Sequence, residues 1–186
     1  MEKKMRKKVR QKLGLLVACI LCLGAVVYTA AKQEKRPSPS AQASCKFQDG
    51  KGITVAYSSP RMKGRKIFGG LVPFGEVWRL GANEATTFVN TAEVNADNKS
   101  VPAGSYTIFA LPKEDTWTLI VSKKTGEWGI PYPGEASDLV RMEMKTSKVG
   151  APVENFTIAF DQAGSSCTLR AAWETTQASI RFDEAK

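Results

Sequence analysis

The stretch CTLRAAWETTQASIRF, residues 167–182, decides the fold. Its apolar residues fall on alternate positions, Cys167, Leu169, Ala171 and Trp173, and the alternation returns at Ala178, Ile180 and Phe182. In an extended chain successive side chains point to opposite faces, so this pattern buries one face of a strand. A helix needs apolar spacings of three and four, and no such period is sustained anywhere after Ser44.

The same alternation recurs at Ile53, Val55 and Tyr57; at Tyr106, Ile108 and Ala110; at Val140, Met142 and Met144; and at Phe156, Ile158 and Phe160. Turn chemistry separates these runs: NADNK at 95–99, PAG at 102–104, KEDT at 113–116 and DQAGSS at 161–166. Short strands joined by such turns predict an all-β domain, an antiparallel β-sandwich of jelly-roll type with about eight strands. Its expected span is residues 45–186.

The net charge of +9 does not belong to that domain. Residues 1–12 hold seven Lys or Arg and one Glu, and residues 32–44 hold three and one. From Cys45 onward 17 basic and 16 acidic residues remain, 17 − 16 = +1, so no nucleic-acid-binding face is expected. Between the basic blocks lies LGLLVACILCLGAVVYTAA, 19 uncharged residues at 13–31. As a helix this run is about 28 Å long, enough for a bilayer core, and the cations before it predict export of the chain beyond it. The expected organisation is a basic n-region with a membrane anchor or signal peptide (1–31), a polar Pro/Ser linker (32–44) and the exported domain.

Three fates of the leader stay open: retention as an anchor; cleavage after Thr29-Ala30-Ala31 or after Ala41-Gln42-Ala43; and lipidation at Cys19, since Leu16 to Cys19 resembles a lipobox. Cys19 and Cys22, inside the apolar run, read as small hydrophobes. The exported domain holds only Cys45 and Cys167. In an oxidising compartment they are expected to pair, the alternative being two separate buried thiols.

Histidine is absent. That removes Ser-His-Asp triads, Cys-His pairs and His-ligated metals, so no metal or cofactor is expected. GRKIFGG, residues 64–70, lacks the Lys-Ser/Thr and helix start of a phosphate loop. Glu76 and Glu84 are a formal carboxylate pair, on no stronger ground than being acids.

Special residues concentrate instead in SSPRMKGRKIFGGLVPFGEVWRLGANEATTF, residues 58–88. Arg61, Arg65 and Arg79 read either as a planar-donor cluster for an anion or as forks that hold loop carbonyls. Asn83 suits a left-handed turn after Gly81, and Glu84 suits pairing with Arg79. Trp78 is expected in the core. Trp128 and Tyr132, in the Gly/Pro-rich GEWGIPYPGE at 126–135, are expected at the surface. Together Arg61, Arg65, Arg79, Asn83, Glu84, Trp128 and Tyr132 form the candidate ligand-binding set.

Residues 57–88, with VPAGSYTIFALP (101–112), WTLIVSKKTGEWG (117–129), FTIAFD (156–161) and CTLRAAWETTQASI (167–180), resemble the bacterial exported family described as domain of unknown function 2911. The resemblance covers most of the chain after Cys45. It implies an envelope location and one β-rich domain, with no activity or catalytic residues to carry over. Ser59, Pro60, Arg61, Gly64, Arg65, Gly69, Trp78, Arg79, Gly81, Asn83, Glu84 and Thr86 match its signature. The leading expectation is a non-catalytic binding module for a polar or anionic ligand, carbohydrate included, anchored on the periplasmic side of the cytoplasmic membrane, or secreted or periplasmic if the leader is cleaved. The alternatives are a small hydrolase or isomerase using Glu84 with Arg79, and a structural partner in an envelope assembly.

Overall fold

A computed structural model describes residues 36–185. The apolar run at 13–31 and its two cysteines lie outside them. Nine antiparallel strands form one sheet: β1 (Ser40–Lys46), β2 (Gly52–Ser58), β3 (Thr86–Asn90), β4 (Val94–Ala96), β5 (Lys99–Val101), β6 (Gly104–Pro112), β7 (Thr116–Ser122), β8 (Asp138–Ala163) and β9 (Ser166–Glu184). Their order is β1-β2-β3-β6-β7-β8-β9-β4-β5. One 3-10 turn, Glu135–Ser137, interrupts the all-β pattern.

The sheet wraps in a sandwich-like way around one apolar interior. Val55, Phe88, Ile108, Leu119, Met142, Leu169, Trp173 and Phe182 all point into it and are buried. All of these but Phe88 and Leu119 are alternating residues of the sequence pattern. On β6 and β7 the intervening residues are apolar too: Phe109 and Ile120 are buried on the opposite face with Ala85. A strand apolar on both faces needs a second cover, and Val77 and Tyr132 from the loops supply it.

Two strand expectations merge. The runs at 140–144 and 156–160 belong to a single strand, β8, of 26 residues, paired with the 19-residue β9. The β8–β9 register shifts between Lys148 and Val153 and again between Val153 and Thr157, so β8 bends and its two halves serve different parts of the wrap. The folded domain also begins before Cys45. Residues 40–44 pair with 54–58 of β2, and the Ser59 N–H donates to the Pro39 carbonyl at 2.9 Å. A cut after Ala43 would therefore remove more than half of β1.

The break in the β8–β9 ladder is filled by the special segment. The Phe156 N–H donates to the Pro60 carbonyl (2.9 Å), the Met62 N–H donates to the Glu154 carbonyl (2.7 Å), and Arg61 bridges Asn155. The Ser59 hydroxyl adds a buried bond to the Phe156 carbonyl at 2.7 Å. Buried backbone groups must find partners, and residues 59–62 provide them where β9 does not. At its other end the segment continues the sheet beside β6. Trp78 exchanges both backbone bonds with Ala110, at 2.7 and 2.8 Å, and the Gly75 N–H donates to the Pro112 carbonyl at 2.9 Å.

Between these clamps Ile67, Phe68 and Val72 are buried, and so is Leu80 just beyond Trp78. Glu174 holds the middle: its carboxylate accepts from the backbone N–H groups of Ile67 (3.3 Å) and Phe68 (3.4 Å). It does so from a left-handed position, φ 52°, that a non-glycine residue adopts at a cost. Trp78 lies on Trp173 with ring centres 5.9 Å apart and planes within 20°, edged by Phe68, Trp117 and Phe156.

Cys45 and Cys167 form a disulfide with Cα atoms 6.0 Å apart, tying β1 to β9 across 122 residues of sequence. Closing so long a loop in the unfolded chain is worth about 5 kcal/mol in the chain-entropy account. The double substitution Cys45→Ala/Cys167→Ala is expected to lower unfolding stability by about 3–5 kcal/mol in denaturant titration, with β1 losing hydrogen-exchange protection first. Stability within about 1 kcal/mol of the parent would contradict this. For the segment, Glu174→Ala is expected to cost about 1–3 kcal/mol by stranding two N–H groups, whereas Glu174→Gln, which keeps an acceptor, costs less. Equal losses in both variants would show that the carboxylate does not serve the Ile67 and Phe68 amides.

Candidate functional site

The two clamps and the Glu174 brace leave the outer side of residues 60–82 facing the loop at 126–134. Gly129 makes the close approach between them possible. At its φ of 85°, an added Cβ would lie 2.8 Å from the Ala85 Cβ and 2.9 Å from the Arg79 Cβ. The Ala85 N–H also donates to the Glu127 carbonyl at 3.0 Å, pinning the start of the loop. The result is a cleft of about 380 Å3, floored by Trp78 and Trp173, with Arg65 and Arg79 on its wall and Leu71 and Ile130 on its rim.

Arg79 is the central charge. Its guanidinium donates to the Trp128 carbonyl at 3.2 Å and lies 5.6 Å from the centre of the Trp128 ring. Burial disfavours its charged form and lowers its pKa from the ordinary value, while the Glu84 carboxylate opposes that shift. Arginine stays protonated nonetheless, so this is a partly desolvated cation that an anion would stabilise.

The other arginines divide between the two readings. Arg65 donates through Nε to the Met62 carbonyl at 3.0 Å and through Nη2 to the Arg61 carbonyl at 2.7 Å, while its exposed side chain still borders the cleft. Arg61 is half-buried and donates to the Ser59 carbonyl at 3.3 Å. It borders an adjoining recess of about 390 Å3 with Lys63, Arg65 and Pro37. Each of the three arginines thus holds a loop carbonyl, and two of them also present charge to one cleft.

The remaining candidates do not converge there. Asn83 adopts the left-handed conformation expected for it, φ 57°, and its amide donates to the Ser38 carbonyl (3.0 Å) and the Ser58 hydroxyl (3.2 Å), bracing the start of the domain. Glu84 is exposed and lines a separate recess of about 170 Å3 with Tyr57 and Thr87. Trp128 is 56% exposed, in keeping with the composition of its loop. Tyr132, expected beside it at the surface, turns inward. Its ring meets Phe109 edge-on at 5.1 Å and its hydroxyl donates to Asp138, with Arg141 Nη2 at 3.2 Å. Burial and the Asp138 carboxylate raise the Tyr132 pKa, and Arg141 partly offsets them.

Sequence reasoning misses Ile130 and misplaces Leu71, which it reads with Ile67, Phe68 and Val72 as a staple of the loop; those three are buried, but Leu71 and Ile130 are 48% and 66% exposed. The signal lies in their position, since a large aliphatic residue inside a Gly/Pro-rich turn has no strand face to bury it. A roomier groove of about 470 Å3 lies between the β4–β5 turn, β8 and β9. Its walls mix Asp97, Glu143 and Asp183 with Lys145 and Arg181, and Arg181 already pairs with Asp183 at 2.8 Å. Charges of both signs in contact leave that groove no clear ligand preference. Among the described residues, no cluster of three His, Cys, Asp or Glu is placed to hold a metal ion.

No curated protein and no solved structure is significantly similar to this chain. The sequence family described as "Protein of unknown function (DUF2911)" matches residues 38–182, the whole wrapped sheet from the Ser38 brace to the end of the β9 core. The chain belongs to that family.

Proposed function

We propose that the domain is a binding module whose cleft between residues 60–82 and the 126–134 loop takes a small anionic ligand with an apolar face. The observation that carries this reading is the lining itself: Arg65 and Arg79 beside Trp78, Leu71 and Ile130, with no acidic residue among them. Such a wall offers two cationic donors to a carboxylate or phosphate and an apolar surface to the body that bears it. It supports an anion over a neutral sugar, because sugar hydroxyls call for acceptors as well as donors, and no carboxylate or side-chain amide lines the cleft. Glu84 lines its own recess and offers no group to the cleft, although its charge acts on Arg79. The Cys45–Cys167 disulfide supports placing the domain outside the cytoplasm, on the periplasmic side of the membrane.

Benzoate and its neutral analogue benzamide separate charge from shape. Titrated into the full chain in zwitterionic nanodiscs and followed by tryptophan fluorescence, benzoate is expected to bind and benzamide to bind at least ~10-fold more weakly, the value of one charge-assisted pair. Arg79→Gln is expected to weaken benzoate by ~10-fold or more, while Glu84→Gln leaves it within about twofold. Benzoate and benzamide of equal affinity, or an Arg79→Gln variant that binds as the parent does, would remove the anion site.

A further inference from the structure

The cleft sits on a face whose chemistry differs from the rest of the surface. Of the five large apolar side chains exposed among the described residues, Leu71, Trp128 and Ile130 surround or overhang this cleft, at 48%, 56% and 66% exposure. Apolar side chains left open in a group mark a surface that something covers. The charged side chains that line the cleft and the recess beside it are all cations, Arg61, Lys63, Arg65 and Arg79, with acids just outside: Glu76, Glu127 and Glu135 adjoin these segments, and the Glu154 carboxylate accepts from the Lys63 N–H at 2.9 Å. The cleft and the cationic recess beside it are continuous, since Ser38, Pro60 and Arg65 line both.

The domain's first residues lie on the same face. Pro37 and Ser38 border the cationic recess, and Asn83 holds Ser38 there through its carbonyl at 3.0 Å. Only five residues, Lys32 to Arg36, separate Pro37 from the end of the apolar run at 13–31. Five residues can span at most about 17 Å. Three of the five are basic and one is acidic, which continues the positive charge toward that run.

We infer that this face docks on the anionic surface of the membrane that the apolar run enters, with Trp128, Ile130 and Leu71 reaching the headgroup region and Lys63, Lys66 and Arg61 meeting lipid phosphates. Exposed indole and aliphatic groups beside a cation-lined recess are the composition of an interfacial contact, and anionic headgroups draw in each nearby Lys or Arg. Where the apolar run is retained as an anchor, a connection of five residues ties the domain to the bilayer. The inference extends the binding reading above and rests on it only for Arg65 and Arg79. Docking through Lys63, Lys66 and Ile130 places the cleft mouth at the headgroups, so the anion it takes is the phosphate of a membrane lipid.

The test uses the full chain reconstituted in vesicles whose acyl chains carry bromine, which quenches nearby indole. The signal of Trp128 is isolated by subtracting that of a Trp128→Phe chain. Quenching of Trp128 is expected to be at least about twofold greater with phosphatidylglycerol present than in phosphatidylcholine alone, and to fall to the lower level in high salt. Lys63→Gln/Lys66→Gln, both at exposed positions, is expected to lose the difference, and Ile130→Ser to lower the quenching in both lipids. Trp128 quenched alike in the two bilayers, or in neither, overturns membrane docking. If benzoate still binds in that case, the anion site stands and the docking alone falls. If the Lys63→Gln/Lys66→Gln chain keeps the full lipid difference, the cationic surround has no part in it and the inference fails.

Discussion

The backbone pairing of residues 59–62 with residues 154–156 holds the rest of the arrangement in place. A 26-residue strand cannot stay in register with one partner around a closed core, because strand twist accumulates along its length. The β8–β9 ladder breaks between Lys148 and Thr157, which exposes backbone groups next to the interior. Unpaired, those groups would each cost about 1–3 kcal/mol. The Ser59-Pro60-Arg61-Met62 run satisfies them, and Pro60 fits because its carbonyl, and not a missing N–H, makes the bond.

That pairing sets the architecture of the cleft. The chain leaves β8 at Met62, is held at Ile67 and Phe68 by Glu174, and rejoins the sheet at Trp78 against Ala110. Both anchor points sit over the aromatic stack of Trp78 on Trp173, so the floor of the cleft belongs to the core and is rigid. The opposite wall depends on Gly129, whose missing Cβ lets the 126–134 loop close onto Arg79. A cleft built this way is preorganised: its cations are already fixed by carbonyls of the loops they decorate, and little ordering remains to be done on binding.

The opposition between a structural and a functional arginine, natural when the sequence is read alone, dissolves in the structure. Arg65 and Arg79 each use part of the guanidinium fork on the protein and leave the remainder toward the cleft. Arginine suits this double duty because its five N–H groups point in several directions from one plane. Arg61, half-buried against Ser59, leans further toward the scaffold. Residues 59–86 are therefore mostly a clamp, with the cleft as what the clamp holds open.

The sequence by itself determined the alternation that makes the domain all-β, the turns between the runs, the expectation that Cys45 pairs with Cys167 and the left-handed turn at Asn83. Each of these is written locally, in a period of two, in turn residues or in a cysteine count, and local geometry suffices to read it. Only the tertiary structure decided that two apolar runs were one bent strand, that residues 40–44 were sheet and not linker, that Tyr132 turned inward and that Glu84 parted from Arg79's cleft. These outcomes depend on which backbone groups meet across the fold. Ser59 and Phe156 are 97 residues apart in the chain, and Arg79 and Trp128 are 49 apart. Periodicity reports how much of a strand face is buried; it carries no information about which distant segment does the burying, and loops have no periodicity to report.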